Sequence, residues 1–158
     1  MPATAPLTVP ARLAARASGT RPAELAAEVR IAVARASRRV RAERGPTDLP
    51  DPQFVVLAWL HKLGPLTPGA LAELERVQPP SMTRAVNALV ESGLVVKSDH
   101  PTDGRQVLVT LSERGAAEVQ ETRRRRDAWL SGRLATLTPA ERATLAEAAV
   151  LLRRIAEE

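Results

Sequence analysis

One stretch of this chain reads as β structure, and everything around it has helical spacing. Leu94-Val95-Val96 and Gln106-Val107-Leu108-Val109-Thr110-Leu111 are β-branched runs. Between them lies Asp99-His100-Pro101-Thr102-Asp103-Gly104, whose side chains favour a turn, so the segment predicts a two-stranded hairpin. Only 2% of the 158 residues are aromatic, with Phe54, Trp59 and Trp129 the whole supply. Ala, Leu and Val must then fill the interior, which suits close-packed helices better than a sandwich of sheets.

The helices follow from their punctuation. Arg21-Pro22 opens a long first helix with Leu25, Val29, Val33, Ala36 and Val40 along one face, ended by Gly45-Pro46. Asp51-Pro52 predicts an N-cap and a second helix through Phe54 to Leu63. A short third helix starts at Thr67-Pro68 and runs to Arg76, and a fourth runs from about Pro80 to Glu91, closed by Ser92-Gly93. After the hairpin, Ser112-Glu113 starts a long helix to roughly Leu137. Thr138-Pro139-Ala140-Glu141 is a capping-box start for the last, whose stripe is Leu145, Ala149, Leu152 and Ile155. Two short helices joined by a tight turn and followed by a hairpin make a winged helix-turn-helix. The fold class expected is mainly α with a small β-hairpin wing (α+β), a winged helix-turn-helix on a helical dimerisation frame. The expected division is a basic N-terminal arm over 1–20, a dimerisation region over 21–46 and 112–158, and a DNA-binding domain over 47–111.

Met82, Ala85, Val86, Leu89 and Val90 would hold the fourth helix to the body, leaving Ser81, Thr83, Arg84 and Asn87 on or near the opposite face. The front of a recognition helix enters the major groove, where Arg takes guanine bidentately, Asn takes adenine, and Ser or Thr holds phosphate or a thymine methyl. Plainer readings stand beside this: Arg84 paired with Glu91, Asn87 merely solvated, Ser81 and Thr83 capping the helix start. His61 and His100 read as a helix-end and a loop residue and make no metal motif.

These pieces resemble the MarR family of bacterial regulators. The matching residues are Leu71-Ala72-Glu73, Ser81-Met82-Thr83-Arg84, Leu89 with Gly93-Leu94-Val95, the tip Asp103-Gly104-Arg105, and Leu111-Ser112-Glu113-Arg114-Gly115. The resemblance implies that Arg105 enters the minor groove, that Asp103 braces it, and that Lys97 contributes a wing contact. A narrow minor groove concentrates negative potential, which favours an inserted Arg. Gly104 stands where a second basic residue is common, and Lys97 where Arg is usual. The resemblance also implies an intertwined homodimer and release of DNA when a small aromatic effector enters a cleft. Val33, Trp59 and Trp129 are the candidates to line such a cleft, against the plainer reading that both tryptophans are core.

The net charge is +5, yet residues 1–44 carry nine basic against three acidic side chains while residues 79–111 carry three of each. The excess sits outside the reading head, so these arginines either flank the DNA as a clamp or serve the dimer and solubility, and the default of solvated helix faces favours the second. Arg123-Arg124-Arg125-Arg126 turn by about 100° per residue, so at least one faces a packed surface unless the helix stands clear; Glu118, Glu121 and Asp127 are the nearby acids. Cysteine is absent, which excludes disulfides and thiolate zinc sites, and no apolar run approaches a membrane span. The sequence has no phosphate loop, metal-ligand cluster or nucleophile–base pair, so no enzyme, cofactor or metal is expected. The expectation is a cytoplasmic, sequence-specific regulator of double-stranded DNA, acting as a repressor on a palindromic operator. The rivals are a winged-helix module for protein–protein contacts and a sequence-neutral architectural binder.

Overall fold

The computed structural model describes residues 21–157, so the expected N-terminal arm lies outside the described residues. The order of elements is α1 (Pro22–Arg41), α2 (Asp51–Leu63), α3 (Pro68–Glu75), α4 (Pro79–Glu91), β1 (Val95–Asp99), β2 (Val107–Leu111), α5 (Glu113–Leu134) and α6 (Pro139–Glu157). The described chain is thus mostly helical with one hairpin, the class read from the sequence. It divides into two compact units, one spanning 41–127 and the other joining the segments before 41 to those after 127.

The first of these units holds the core. Val56, Leu57, Leu71, Val86, Leu89, Leu94, Val95, Val109 and Val119 are each almost wholly removed from solvent. They come from α2, α3, α4, the hairpin and the start of α5, so one apolar cluster fixes the positions of all five segments. Three helix ends carry this arrangement. Thr67 caps α3, its Oγ1 accepting from the Ala70 amide at 3.1 Å. Arg76 closes α3 in the left-handed region at φ 51°, and the Val77 amide reaches back to Ala72 O, which turns the chain into α4. Gly93, at φ 70°, closes α4 in the same way, with the Leu94 amide donating to Leu89 O.

The hairpin pairs antiparallel, Val95 against Leu111 through Asp99 against Val107. A third segment joins it: Leu66, between α2 and α3, exchanges two backbone hydrogen bonds with Val109. The strand periodicity of the sequence does not announce Leu66, because a single paired residue has no period. The start of α5 is docked on the corner between α4 and β1. Ser112 Oγ donates to Gly93 O at 2.7 Å and accepts from the Gly115 amide at 3.0 Å. Arg114 Nη1 donates to Ser92 O, covering the last turn of α4.

The four consecutive arginines separate as their helical rotation requires. Arg124 is bidentate to Glu121, and Arg125 shares that carboxylate. Arg126 is the one that packs. Its guanidinium lies 4.3 Å from the Phe54 ring centroid, and Nε donates to Glu43 O at 3.1 Å. Burial lowers its pKa, yet Arg remains charged at any ordinary pH. Glu118, one of the acids near the arginine run, forms no ion pair with it. It is buried against the Gly45 backbone, where its Oε1 accepts from Thr122 Oγ1 at 3.4 Å.

Several boundaries also differ. Asp51 is the first helical residue rather than the N-cap, and Pro50, which precedes it, has no side-chain acceptor with which to cap the first amides. Helix α1 stops at Arg41 and α5 at Leu134, where short turns close on Arg133 O and Leu134 O. The Thr138 capping box forms as read: the Thr138 amide donates to Glu141 Oε2 and the Glu141 amide to Thr138 Oγ1.

In the other unit, α1 and α6 contain no buried residue. Leu25, Ile31 and Val33 on α1 and Leu145, Val150, Leu151, Leu152 and Ile155 on α6 are all exposed.

Gly115 lets α5 approach the corner, since a Cβ there would lie 2.0 Å from Leu94 O, a backbone atom that cannot move aside alone. Gly115→Ala is expected to destabilise the fold by ~2–3 kcal/mol in urea denaturation. Gly69→Ala, whose Cβ would meet only Thr67 Oγ1 at 3.7 Å, is expected to stabilise it by ~0.5 kcal/mol. A Gly115→Ala variant as stable as the parent would show that the corner is loosely packed.

Candidate nucleic-acid interface

The apolar residues of α4 recur so that one face is spent on the core: Met82, Val86 and Leu89 are buried and Ala85 is packed against them. The other face stays open. Ser81, Thr83, Arg84 and Asn87 are all exposed, so the structure brings these four expected residues onto one outward surface. Val90, expected to anchor the helix, is instead 37% exposed at its last turn.

The start of α4 is built by Gln78-Pro79-Pro80. Pro79 occupies a first-turn position, where its missing N–H costs nothing. Neither Ser81 nor Thr83 caps the amides there. Thr83 Oγ1 donates to Pro79 O at 3.0 Å. Ser81 Oγ accepts from Arg84 Nη2, and Arg84 Nε donates to Pro80 O, both at 3.3 Å. Arg84 therefore lies along its own helix front rather than reaching for Glu91. Hydrogen bonds this long and exposed are weak, so the guanidinium can leave them at little cost.

Lys97, on β1 opposite Val109, points its ammonium at this surface: Nζ donates to Asn87 Oδ1 at 2.7 Å. The first strand of the wing is thus tied to the middle of α4 through two side chains that sequence reasoning treated separately. They lie on different elements, so no single helical or strand period connects them.

The hairpin tip is held by Asp103 and His100. Asp103 Oδ1 accepts from the Arg105 amide at 3.0 Å, and Oδ2 accepts from Gln106 Nε2 at 2.7 Å. Asp103 braces Arg105 through its main chain, and the exposed Arg105 side chain projects from that fixed turn. His100 Nδ1 faces the amides of Asp103 at 3.2 Å and Thr102 at 3.4 Å, so it acts as an acceptor inside the turn. This accounts for His100 as a loop residue.

The three residues expected to meet an effector are divided between the units. Trp59 belongs with the core, and its Nε1 donates to Glu75 Oε1, tying α2 to α3. Trp129 lies in the terminal-helix unit, flanked by the guanidinium groups of Arg39 at 4.6 Å and Arg133 at 5.5 Å from its centroid. Its Nε1 is buried and has no hydrogen-bond partner among the described residues. Val33 is exposed on α1. Among the described residues no group of His, Asp and Glu is arranged to hold a metal, and no helix is long and apolar enough to cross a membrane.

The Arg105 amide, then the Gln106 side chain, hold the Asp103 carboxyl below the ordinary aspartate value near 3.8. The folded wing thus favours the carboxylate, so its stabilisation is complete above the ordinary value and is lost as pH falls through the lowered one. In an NMR titration from pH 6 to pH 2, the Arg105 amide should shift with a midpoint below 3.8. Asp103→Asn should abolish that transition, and a midpoint at or above the ordinary value would contradict the bracing.

Known proteins agree with this architecture. The sequence model of the MarR family matches residues 49–107, from the end of the α1–α2 loop to the start of β2. An HTH-type transcriptional regulator of Mycobacterium tuberculosis is 46% identical over 136 residues, covering 86% of this chain and 95% of that protein. Among solved structures, wild-type MarR from E. coli in its apo form is 28% identical, with a TM-score of 0.65 over 87% of this chain and 98% of its own. BpsR of Bordetella bronchiseptica, whose DNA binding is regulated by 6-hydroxynicotinic acid, is 27% identical, with a TM-score of 0.60 over 82% and 98% of the two chains. This chain belongs to the MarR family and is an HTH-type transcriptional regulator.

Proposed function

We propose that the chain represses transcription by reading a palindromic operator as a homodimer. The observation that carries this is the outward surface of α4, where Ser81, Thr83, Arg84 and Asn87 stand together while the opposite face is locked in the core. In a major groove, Arg84 would leave its weak contacts with Pro80 and Ser81 for a base edge. Ser81 and Thr83 would hold phosphate or a thymine methyl. Arg105 would enter the neighbouring minor groove from the tip that Asp103 holds. Lys97 would reach the backbone or the base edge beside Asn87.

Support for the dimer is the apolar surface of α1 and α6. Seven large aliphatic side chains at 43–67% exposure, Leu25, Ile31, Val33, Leu145, Val150, Leu151 and Ile155, are more than a soluble monomer leaves uncovered along two helices. A second copy meeting the same faces would bury them under two-fold symmetry and set two reading heads about one helical turn of DNA apart. The proposed division of labour is a dimerisation region over 21–46 and 112–158 and a DNA-binding domain over 47–111. Release by a small aromatic molecule is the proposed control. It is supported by the orphaned indole N–H of Trp129 between two guanidinium groups, a place that lacks an acceptor. The regulation of BpsR by 6-hydroxynicotinic acid supports it from a structural neighbour.

Fluorescence anisotropy with duplex from the protein's own upstream region, against a scrambled duplex and across a salt series, tests the reading. The upstream duplex should bind tighter, with affinity falling roughly a thousandfold or more between ~50 and ~200 mM salt. Arg84→Ala should lose ~1–3 kcal/mol of discrimination per half-site. Arg105→Ala should lose affinity with a smaller change in base preference. Equal weak binding to every duplex in a random library, unchanged by Arg84→Ala, would instead favour a winged helix used for protein contacts.

A further inference from the structure

The contact between Lys97 and Asn87 fixes more than a wing position. An ammonium has three donors and no acceptor, so the atom it faces at 2.7 Å must be the amide oxygen. That settles which way round the Asn87 amide stands: Oδ1 toward β1, and the NH2 group directed away from Lys97. An asparagine that reads adenine needs both ends, Nδ2 donating to N7 and Oδ1 accepting from the N6 amino group. Here one lone pair of Oδ1 is already taken. Its second would draw the adenine amino group beside a full positive charge, donor against donor. Guanine places O6 where adenine has N6, and O6 would accept from one of the remaining ammonium hydrogens while N7 accepts from Nδ2. A bond from the charged ammonium to O6 is stronger than one between neutral partners.

We propose that Lys97 is a specificity-positioning residue that turns Asn87 into a donor-only reader, so that the Lys97–Asn87 pair selects guanine over adenine in each half-site. This rests on the reading that α4 enters the major groove. It also gives Lys97 a role distinct from a phosphate contact, which would leave base identity untouched.

Selection from a random duplex library with the full chain tests the pair, using the wild type, Asn87→Ala, Lys97→Arg and Lys97→Met. Both side chains are exposed, so equal thermal melting of the four proteins is expected and is checked first. The position read by Asn87 is the one whose preference disappears in Asn87→Ala. At that position the wild type should favour guanine over adenine by about tenfold, the value of one good base contact. Lys97→Arg, still donor-only, should keep guanine. Lys97→Met, which frees Oδ1, should move the preference to adenine. Adenine in the wild type, or guanine unchanged in Lys97→Met, would overturn the proposal while leaving the operator reading intact. An Asn87→Ala variant that changes no position would overturn it as well. A wild type that enriches no sequence would overturn both.

Discussion

The surface proposed to read DNA exists because one side of a thirteen-residue helix is committed to the core. Met82, Val86 and Leu89 on α4 pack with Leu57, Leu71 and Val109, which come from two other helices and the hairpin. That burial fixes the rotation of α4 about its own axis, and a helix fixed in rotation presents a fixed set of side chains to solvent. The corner after α4 extends the same constraint to the wing. Gly93 turns the chain, Leu94 and Val95 enter the core, and Lys97 arrives above Asn87. The order of elements in this chain is therefore a packing solution in which the groups proposed to read bases are what remains outside.

The electrostatics are economical. The segment from Pro79 to Leu111 has no net charge, while the basic excess lies in the first 44 residues and in the arginine run of α5. Binding by long-range attraction alone would put the excess on the reading face. Here Arg124, Arg125 and Arg126 of α5 are occupied within the fold. Glu121 binds two of them, with its carboxyl held down to about 2 by Arg124 and then Arg125, and Arg126 spans Phe54 and the α1–α2 loop. The few cations on the proposed reading side are individually placed, an arrangement suited to the proposed base discrimination more than to general affinity for nucleic acid.

The elements whose cause is local were legible in the sequence. Thr67-Pro68, Gly93, the Thr138–Glu141 box and the β-branched runs each act within a few residues, and the structure puts helix ends and strands at or within a few residues of those signals. The open face of α4 was legible too, because burial at Met82, Val86 and Leu89 follows helical period. What escaped depends on contacts between distant residues. The Leu66–Val109 bridge, the Arg126–Phe54 stack and the burial of Glu118 against Gly45 have no periodic signature. The Lys97–Asn87 bond is of the same kind: each residue was recognised alone, and only the corner at Gly93 brings them together.

The central claim is that the surface of α4 and the wing meets DNA while the terminal helices do not. The most direct measurement is an NMR chemical-shift map of the full chain titrated with an operator duplex recovered by selection. The account predicts the largest shifts at Ser81, Thr83, Arg84, Asn87, Lys97 and Arg105, with the amides of α6 unmoved. Shifts centred on α1 and α6, with α4 silent, would contradict it.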